Sequence, residues 1–372
     1  MTFGRFRVTG APFQSADRAF LSEAERRVLD ALRRTPMASR ADVGRIGGLA
    51  KATVSGVVDG LIQRGFVAEG GRVIRGRGQP IVELSLVPGA AYCFGVSLMT
   101  DAFAVSLLDL SGAPLASRTV AAPGMTRESL FVALRIELEL LSAEHIADPS
   151  RIFGIGLGVT GHFIGEGAKV NPPAPLDDFA LVDLQAMFEA EFGLPVAVEN
   201  DGTVAAIGEL LNGHGATTAN FAYLFFSAGF GGGVIIDGAV QRGVYGNAGE
   251  FAGVLPPGEF LQPNLESLRR SVGEHGRQFD SLGAFLAAFD PEWPGVEVWL
   301  DQAARSLSLV CSAIHSTIDC EAIVFGGRIP RVLAEALIAR TGIYASPRRG
   351  LIRPQPRLLC AAAPIEVASP CC

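Results

Sequence analysis

The sequence predicts a multidomain chain: an α+β winged helix-turn-helix over residues 21–88, preceded by an arm at 1–20 and followed by an α/β unit over 89–372. Three observations predict it. Residues 39–67 read as helix, tight turn, helix and the start of a strand. Charge is segregated, with 14 Lys/Arg against 8 Asp/Glu in residues 1–90 and 17 against 30 in the remainder. Beyond residues 88–89 apolar runs alternate with amphipathic stretches, as in sheets covered by helices.

Each element follows from local chemistry. Residues 22–34 form a helix opened by a capping box of Ser22 and Glu25, with Val28, Leu29 and Leu32 as its apolar stripe. Pro36 stops it, and Ser39 caps the next helix, from which Val43 and Ile46 face inward. Gly47 and Gly48 supply the positive φ angles of a short turn. Val54, Val57, Val58, Leu61 and Ile62 line the inner face of the helix that follows. Ala50 stands at its cap, where a Ser would stabilise by about 1 kcal/mol. Residues 66–69 and 80–86 alternate as paired strands around a glycine-framed tip at 70–79.

Lys51, Thr53 and Ser55 cluster at the front of the second hairpin helix, where a recognition helix meets bases and phosphates, and Arg40 is counted with them. Arg72, Arg75 and Arg77 sit on the tip, placed to reach phosphates or a minor groove. Double-stranded DNA is the partner this pattern predicts. A solvated basic hairpin on an ordinary helical domain is the alternative.

In the α/β unit, residues 91–98 and 103–110 read as an antiparallel pair followed by a turn at Ser111 and Gly112. Helices are expected at 127–145, 181–191, 202–211, 298–316 and 331–340. Strands are expected at 153–159, 196–199, 220–226, 234–236 and 322–325. No uninterrupted apolar run approaches the roughly 20 residues that cross a bilayer. The first residues, with Arg5 and Arg7, lack a secretory leader's apolar core. The 6 cysteines have no disulfide-framework spacing, so a reducing cytoplasm is expected, and the terminal Cys371 and Cys372 read as incidental.

Asn200 and Asp201 sit at a strand end that opens a helix, a place for polar groups facing a cleft. An amide beside a carboxylate can hold vicinal hydroxyls of a sugar, donating to one and accepting from another, although Asp201 also reads as a plain helix cap. Residues 228–233 are either a flexible hairpin or a cradle of backbone N–H groups for an anion. His162 reads as a surface-loop histidine, with a cleft-lining position as the alternative. No histidine stands at catalytic spacing from an acid or a cysteine.

Several motifs occur together: Ser39-Arg-Ala-Asp42, Lys51-Ala-Thr-Val-Ser55, Arg75-Gly-Arg-Gly-Gln-Pro80, Gly154-Ile-Gly-Leu-Gly-Val-Thr-Gly161, Val198-Glu-Asn-Asp-Gly202, Ser227-Ala-Gly-Phe-Gly-Gly-Gly233, Gly246-Asn-Ala-Gly-Glu-Phe251, Asn264-Leu-Glu266 and Ile323-Val-Phe-Gly-Gly327. In this order, from residue 22 to about 340, the chain resembles the ROK family of repressors and sugar kinases, and within it the transcriptional-regulator branch. The resemblance implies a two-lobed, actin-like (ribonuclease-H-like) α/β domain with a cleft between the lobes. It implies Thr160, Gly161, Asn171, Asn200, Asp201, Glu250 and Glu266 as contacts to a sugar effector, Asp201 matching the base of the family's kinases. Residues 228–233 and Gly326-Gly327 match its nucleotide loops. It also implies a homodimer, with a tetramer left open; two-fold symmetry would set paired readers about 34 Å, or a multiple, apart.

The chain departs from the pattern at three places. Ser97 stands where the kinases' metal- and phosphate-handling Asp belongs, without the glycine pair after it, so phosphoryl transfer is not expected. Gly253, Pro257, Glu259 and Asn264 stand where the family's zinc-site residues belong, so no metal or other cofactor is expected. Residues 361–372 do not resemble the family's closing helix, and within the reader Gly56 replaces a frequent Arg. The expectation is a sequence-specific DNA-binding transcriptional regulator, a non-enzymatic repressor of carbohydrate-metabolism genes controlled by a sugar. Two alternatives stand beside it: a ROK-type sugar kinase with an appended DNA-binding domain, and a ligand-independent DNA-binding protein.

Overall fold

The computed structural model describes residues 21–73, 80–165 and 167–363. The arm at 1–20, Arg75, Arg77, Cys371 and Cys372 lie outside the described residues, as does most of the closing segment.

The first unit is α1 (Glu23–Arg34), α2 (Arg40–Gly47), α3 (Lys51–Gln63), β1 (Val67–Val73) and β2 (Ile81–Leu86). Ser22 and Glu25 form the expected capping box on α1, and Ser39 with Asp42 forms a second on α2. Ala50 leaves α3 without a side-chain cap. Of the Gly47–Gly48 pair, Gly48 alone takes a positive φ, at 64°. Gly47 instead closes α2 as a helical residue, where a Cβ would meet the Arg27 carbonyl oxygen of α1 at 3.4 Å, an ordinary contact. β1 and β2 pair antiparallel from Val67↔Leu86, with an irregularity between Glu69 and Arg72. Val28, Leu29, Leu32, Val43, Val54, Val58, Leu61 and Phe66 are buried together, while Ile46, Val57 and Ile62 pack at the edge of that core.

Next come β3 (Tyr92–Leu98), β4 (Ala102–Asp109), β5 (Pro114–Ala121), α4 (Arg127–His145), β6 (Ile152–Val159), β7 (His162–Phe163), β8 (Val170–Asn171), α5 (Leu184–Phe192) and β9 (Val196–Asn200). The remainder is α6 (Asp201–Asn212), β10 (Phe221–Phe226), β11 (Phe230–Ile236), β12 (Ala239–Gln241), α7 (Leu265–Glu274), α8 (Leu282–Ala287), α9 (Val296–Thr317), β13 (Ala322–Gly327), α10 (Arg331–Arg340) and β14 (Arg357–Cys360). Two five-stranded sheets result, ordered β5-β4-β3-β6-β9 and β12-β11-β10-β13-β14. In each, the first three strands of the chain form an antiparallel meander, and the last two add in parallel. The same topology used twice makes two lobes, each with its own large apolar core. Among the described residues, no helix is long and apolar enough to cross a membrane.

α6 links the lobes. It continues directly from β9 of the first sheet and lies on β11 of the second. Gly202 makes this possible, because a Cβ there would sit 2.8 Å from the backbone nitrogen and oxygen of Gly232. At Gly233 a Cβ would come within 2.7 Å of the Ala206 methyl. The glycine run 231–233 is therefore part of strand β11, which begins four residues before the expected start at 234. The first unit touches both lobes. Phe66 meets Phe153 of β6 edge-on at 6.0 Å, and Arg34 Nη2 donates to the Gly238 carbonyl after β11 at 3.2 Å.

Gly202→Ala should lower stability by about 1–3 kcal/mol or more through overpacking against strand backbone. Urea unfolding tests this; a midpoint equal to that of the parent would refute the account of the α6–β11 contact.

Candidate functional site

The cleft is built where β6 and β9 end and α6 begins. Asn200 caps α6: its Oδ1 accepts from the N–H groups of Gly202 (2.8 Å) and Thr203 (3.2 Å). Its Nδ2 donates to the Gly161 carbonyl at 2.9 Å and reaches Glu250 Oε1 at 3.4 Å. Capping thus falls to Asn200, and Asp201 is left for other work. Since Asn200 Oδ1 is engaged by the helix, its Nδ2 is the side of the amide that turns to the cleft.

Asp201 Oδ2 accepts from Thr160 Oγ1 at 2.6 Å, and Oδ1 from the Gly202 N–H at 2.9 Å. Burial pushes its carboxyl up to about 7, against the pull of these two donors, with Glu250 adding repulsion. Glu250, exposed at the rim, is pushed up as well, by loss of hydration first, with His162 pulling the other way. His162 is therefore exposed, on strand β7 and not in a loop, and a neighbour of the cleft.

Asn171 is exposed and pairs with His162 across the short β7–β8 ladder. Thr160, Gly161, Asn200, Asp201 and Glu250 are thus joined by hydrogen bonds, with Asn171 beside them. Glu266 stands apart: in the first turn of α7 its carboxylate pairs with Arg269 at 2.8 Å.

Two groups in this region escaped the sequence reading. Asn247 holds the Phe163 peptide from both sides, accepting from its N–H at 2.8 Å and donating to its carbonyl at 2.9 Å. Arg242 pairs with the buried Glu199 at 2.6 Å. Both tie the loop after β12 to the first lobe. Asn247 belongs to the Gly246–Glu250 motif, a signal that could have flagged it; the Arg242–Glu199 pair carries no local pattern.

The segment at residues 95–101 is strand β3 and a tight turn, closed by the Met99 N–H bonding the Ala102 carbonyl at 3.0 Å. Gly326 and Gly327 pack over Tyr223, whose hydroxyl accepts from the Gly327 N–H at 2.9 Å. Of the 228–233 run, residues 230–233 are paired strand, while Gly229 and Gly231 border open space. Among the described residues, no three His, Cys, Asp or Glu side chains gather to hold a metal ion.

On the first unit, Lys51, Thr53 and Ser55 are exposed on one end of α3, and Arg72 is exposed on β1. Arg40 is engaged internally, with Nη2 bonding Asp59 and Glu69, both at 2.8 Å.

Duplicated sheets around a cleft with an Asn–Asp pair at its floor define an actin-like, sugar-kinase or repressor fold. The chain belongs to the ROK family, whose profile matches residues 93–259. It is 29% identical over 242 residues to the xylose repressor of Bacillus spizizenii, spanning 63% of this chain and 61% of that protein. A solved ROK family transcriptional regulator, a homolog of E. coli MLC protein, superposes with a TM-score of 0.66 at 21% identity, over 93% of this chain and 94% of that one. A ROK family glucokinase from Streptomyces griseus, solved with glucose and AMPPNP, gives 0.60 at 21%, over 75% and 97%. At these identities the two structural likenesses are ones of fold.

With its pKa near 7 against 3.8 unfolded, Asp201 binds a proton in the folded state that the unfolded chain has lost. Stability should fall as pH rises from 3.8 to about 7 and level off above. Asp201→Asn should flatten that part of the profile; an unchanged difference between pH 5 and pH 8 in denaturant titrations would rule the shift out.

Proposed function

We propose that the protein is a sequence-specific DNA-binding transcriptional regulator, a repressor of carbohydrate-metabolism genes controlled by a sugar or sugar derivative bound in the cleft. The observation that carries this reading is the pairing of an exposed Lys51-Thr53-Ser55 surface on α3 with the hydrogen-bonded cleft set. In this reading α1–α3 and the β1–β2 hairpin are a winged helix-turn-helix, with α3 its recognition helix. Arg72 reaches the phosphates, joined by Arg75 and Arg77, which lie outside the described residues. Arg40, held by Asp59 and Glu69, positions α3 and β1. The fold likeness to a ROK regulator extends over 93% of the chain, whereas the glucokinase leaves a quarter unmatched, and this supports a reader added to a sugar-binding body. The likeness to a xylose repressor supports the effector class.

The regulator works as a cytoplasmic homodimer formed through the α/β lobes, so that two readers meet two half-sites. In the cleft, Asp201, Asn200 Nδ2, Glu250 and Asn171 receive sugar hydroxyls, while Thr160 and Gly161 hold the wall. Closing the lobes on a ligand changes how the readers are presented and so shifts operator affinity.

One observation favours a second reading, a sugar kinase: a carboxyl with a pKa near 7 suits a general base. Against it stands the segment at 95–101, which has no glycine loop for phosphates. A coupled assay with ATP, Mg²⁺ and a panel of hexoses separates the two. Turnover abolished by Asp201→Asn would establish the kinase; its absence, with a melting temperature raised by one of the sugars, supports the regulator.

For the DNA contacts, Lys51→Ala should weaken binding to all duplexes alike and flatten the log–log salt dependence by about one unit. A slope equal to the parent's in fluorescence-anisotropy titrations would take Lys51 off the phosphate contacts.

A further inference from the structure

The lobes are also joined at a point away from Asn200. Asp101 lies in the turn between β3 and β4 of the first sheet, its side chain only 12% exposed. Its carboxylate accepts from Arg328 Nη1 at 2.8 Å and from the Gly283 N–H at 2.7 Å. Both donors belong to the second lobe. Arg328, 15% exposed, directly follows β13, and Gly283 sits in α8 between Leu282 and Phe285 of the second core. The pair thus crosses the boundary between the sheets and satisfies its charges there.

A contact of this kind is brittle. Two charges shielded from water are costly unless each has the other, so removing one leaves the survivor uncompensated and favours its return to solvent. The side-chain partners of Asp101 are Arg328 and the Gly283 N–H, both across the boundary, so loss of either charge weakens the joint between the lobes. The turn is also tied to the cleft floor: Thr160 Oγ1, which donates to Asp201, lies 3.4 Å from the Leu98 carbonyl at the end of β3. Asp101 is three residues further along the chain.

We propose that Asp101 and Arg328 form a latch that holds the lobes closed with the protein's own carboxylate, and that its release is the step by which the cleft opens. Closure then requires no bound anion between the lobes. The proposal goes beyond the regulator reading and does not depend on it, because the latch operates whatever the cleft binds.

The test uses the full-length protein, hydrogen–deuterium exchange and small-angle X-ray scattering. Asp101→Ala and Arg328→Ala should each increase the radius of gyration and speed amide exchange at 99–102 and 282–286 about tenfold or more, while α9 keeps its protection. A structural staple without a conformational role would leave the radius unchanged. The exchanged pair Asp101→Arg with Arg328→Asp should bring both readouts back toward the parent, and it decides the matter if a single variant fails to fold. Single variants as compact and protected as the parent, or an exchanged pair no more closed than the singles, would overturn the latch.

Discussion

The backbone contact of α6 with β11 governs how the two lobes meet. α6 grows out of the first sheet and rests on the second, so its height above β11 sets the relation of the two lobes. Gly202 and Gly232 let the two backbones meet with no side chain between them, and Gly233 admits the Ala206 methyl. Gly249, with φ at 103°, brings the next loop against the same strand, a Cβ there standing 2.5 Å from the Gly232 oxygen. The glycine run therefore serves helix–strand packing first. Three cleft groups hang from this contact: Asn200 and Asp201 open α6, and Glu250 follows Gly249.

That placement explains how two adjacent polar residues come to play different parts. The first turn of α6 needs an acceptor for its unpaired N–H groups, and Asn200 Oδ1 supplies it without a charge. Asp201 is then held where hydration is poor, and a carboxyl near pKa 7 can donate as well as accept at neutral pH. A sugar hydroxyl does both. A neutral or half-ionised Asp201 is thus better matched to a hydroxyl array than an ionised one, with Thr160 fixing its orientation.

Much of the fold was legible because its signals are local. α4 and α10 have the bounds that periodicity indicates, and the Ser22 and Ser39 caps are visible in four-residue patterns. What escaped reading lacks such signals. β5 is an exposed strand opened by Pro114, with Ser, Arg and Thr where apolar alternation would be sought. α7 and α8 are short, and α7 follows a proline-rich loop. Strand pairing across Gly231–Gly233 is imposed by neighbours, not by propensity. The cleft divides the same way. The Asn200-Asp201 pair stands at a strand–helix junction that the chain displays, whereas Asn247 on Phe163, Arg242 on Glu199 and Arg328 on Asp101 join residues 43 to 227 positions apart.

The first unit's attachment to the lobes follows from comparing its two contacts. With the first lobe it shares apolar surface: Leu110 and Phe153 pack against its core, and Phe66 meets the Phe153 ring edge-on. An aromatic pair of this kind adds about 0.5–1.5 kcal/mol beyond the area it buries. With the second lobe the hydrogen bond from Arg34 to the Gly238 carbonyl is 3.2 Å long, and Arg34 itself is exposed, so its net worth is at most about 1 kcal/mol. The first unit is therefore held more firmly by the first lobe than by the second.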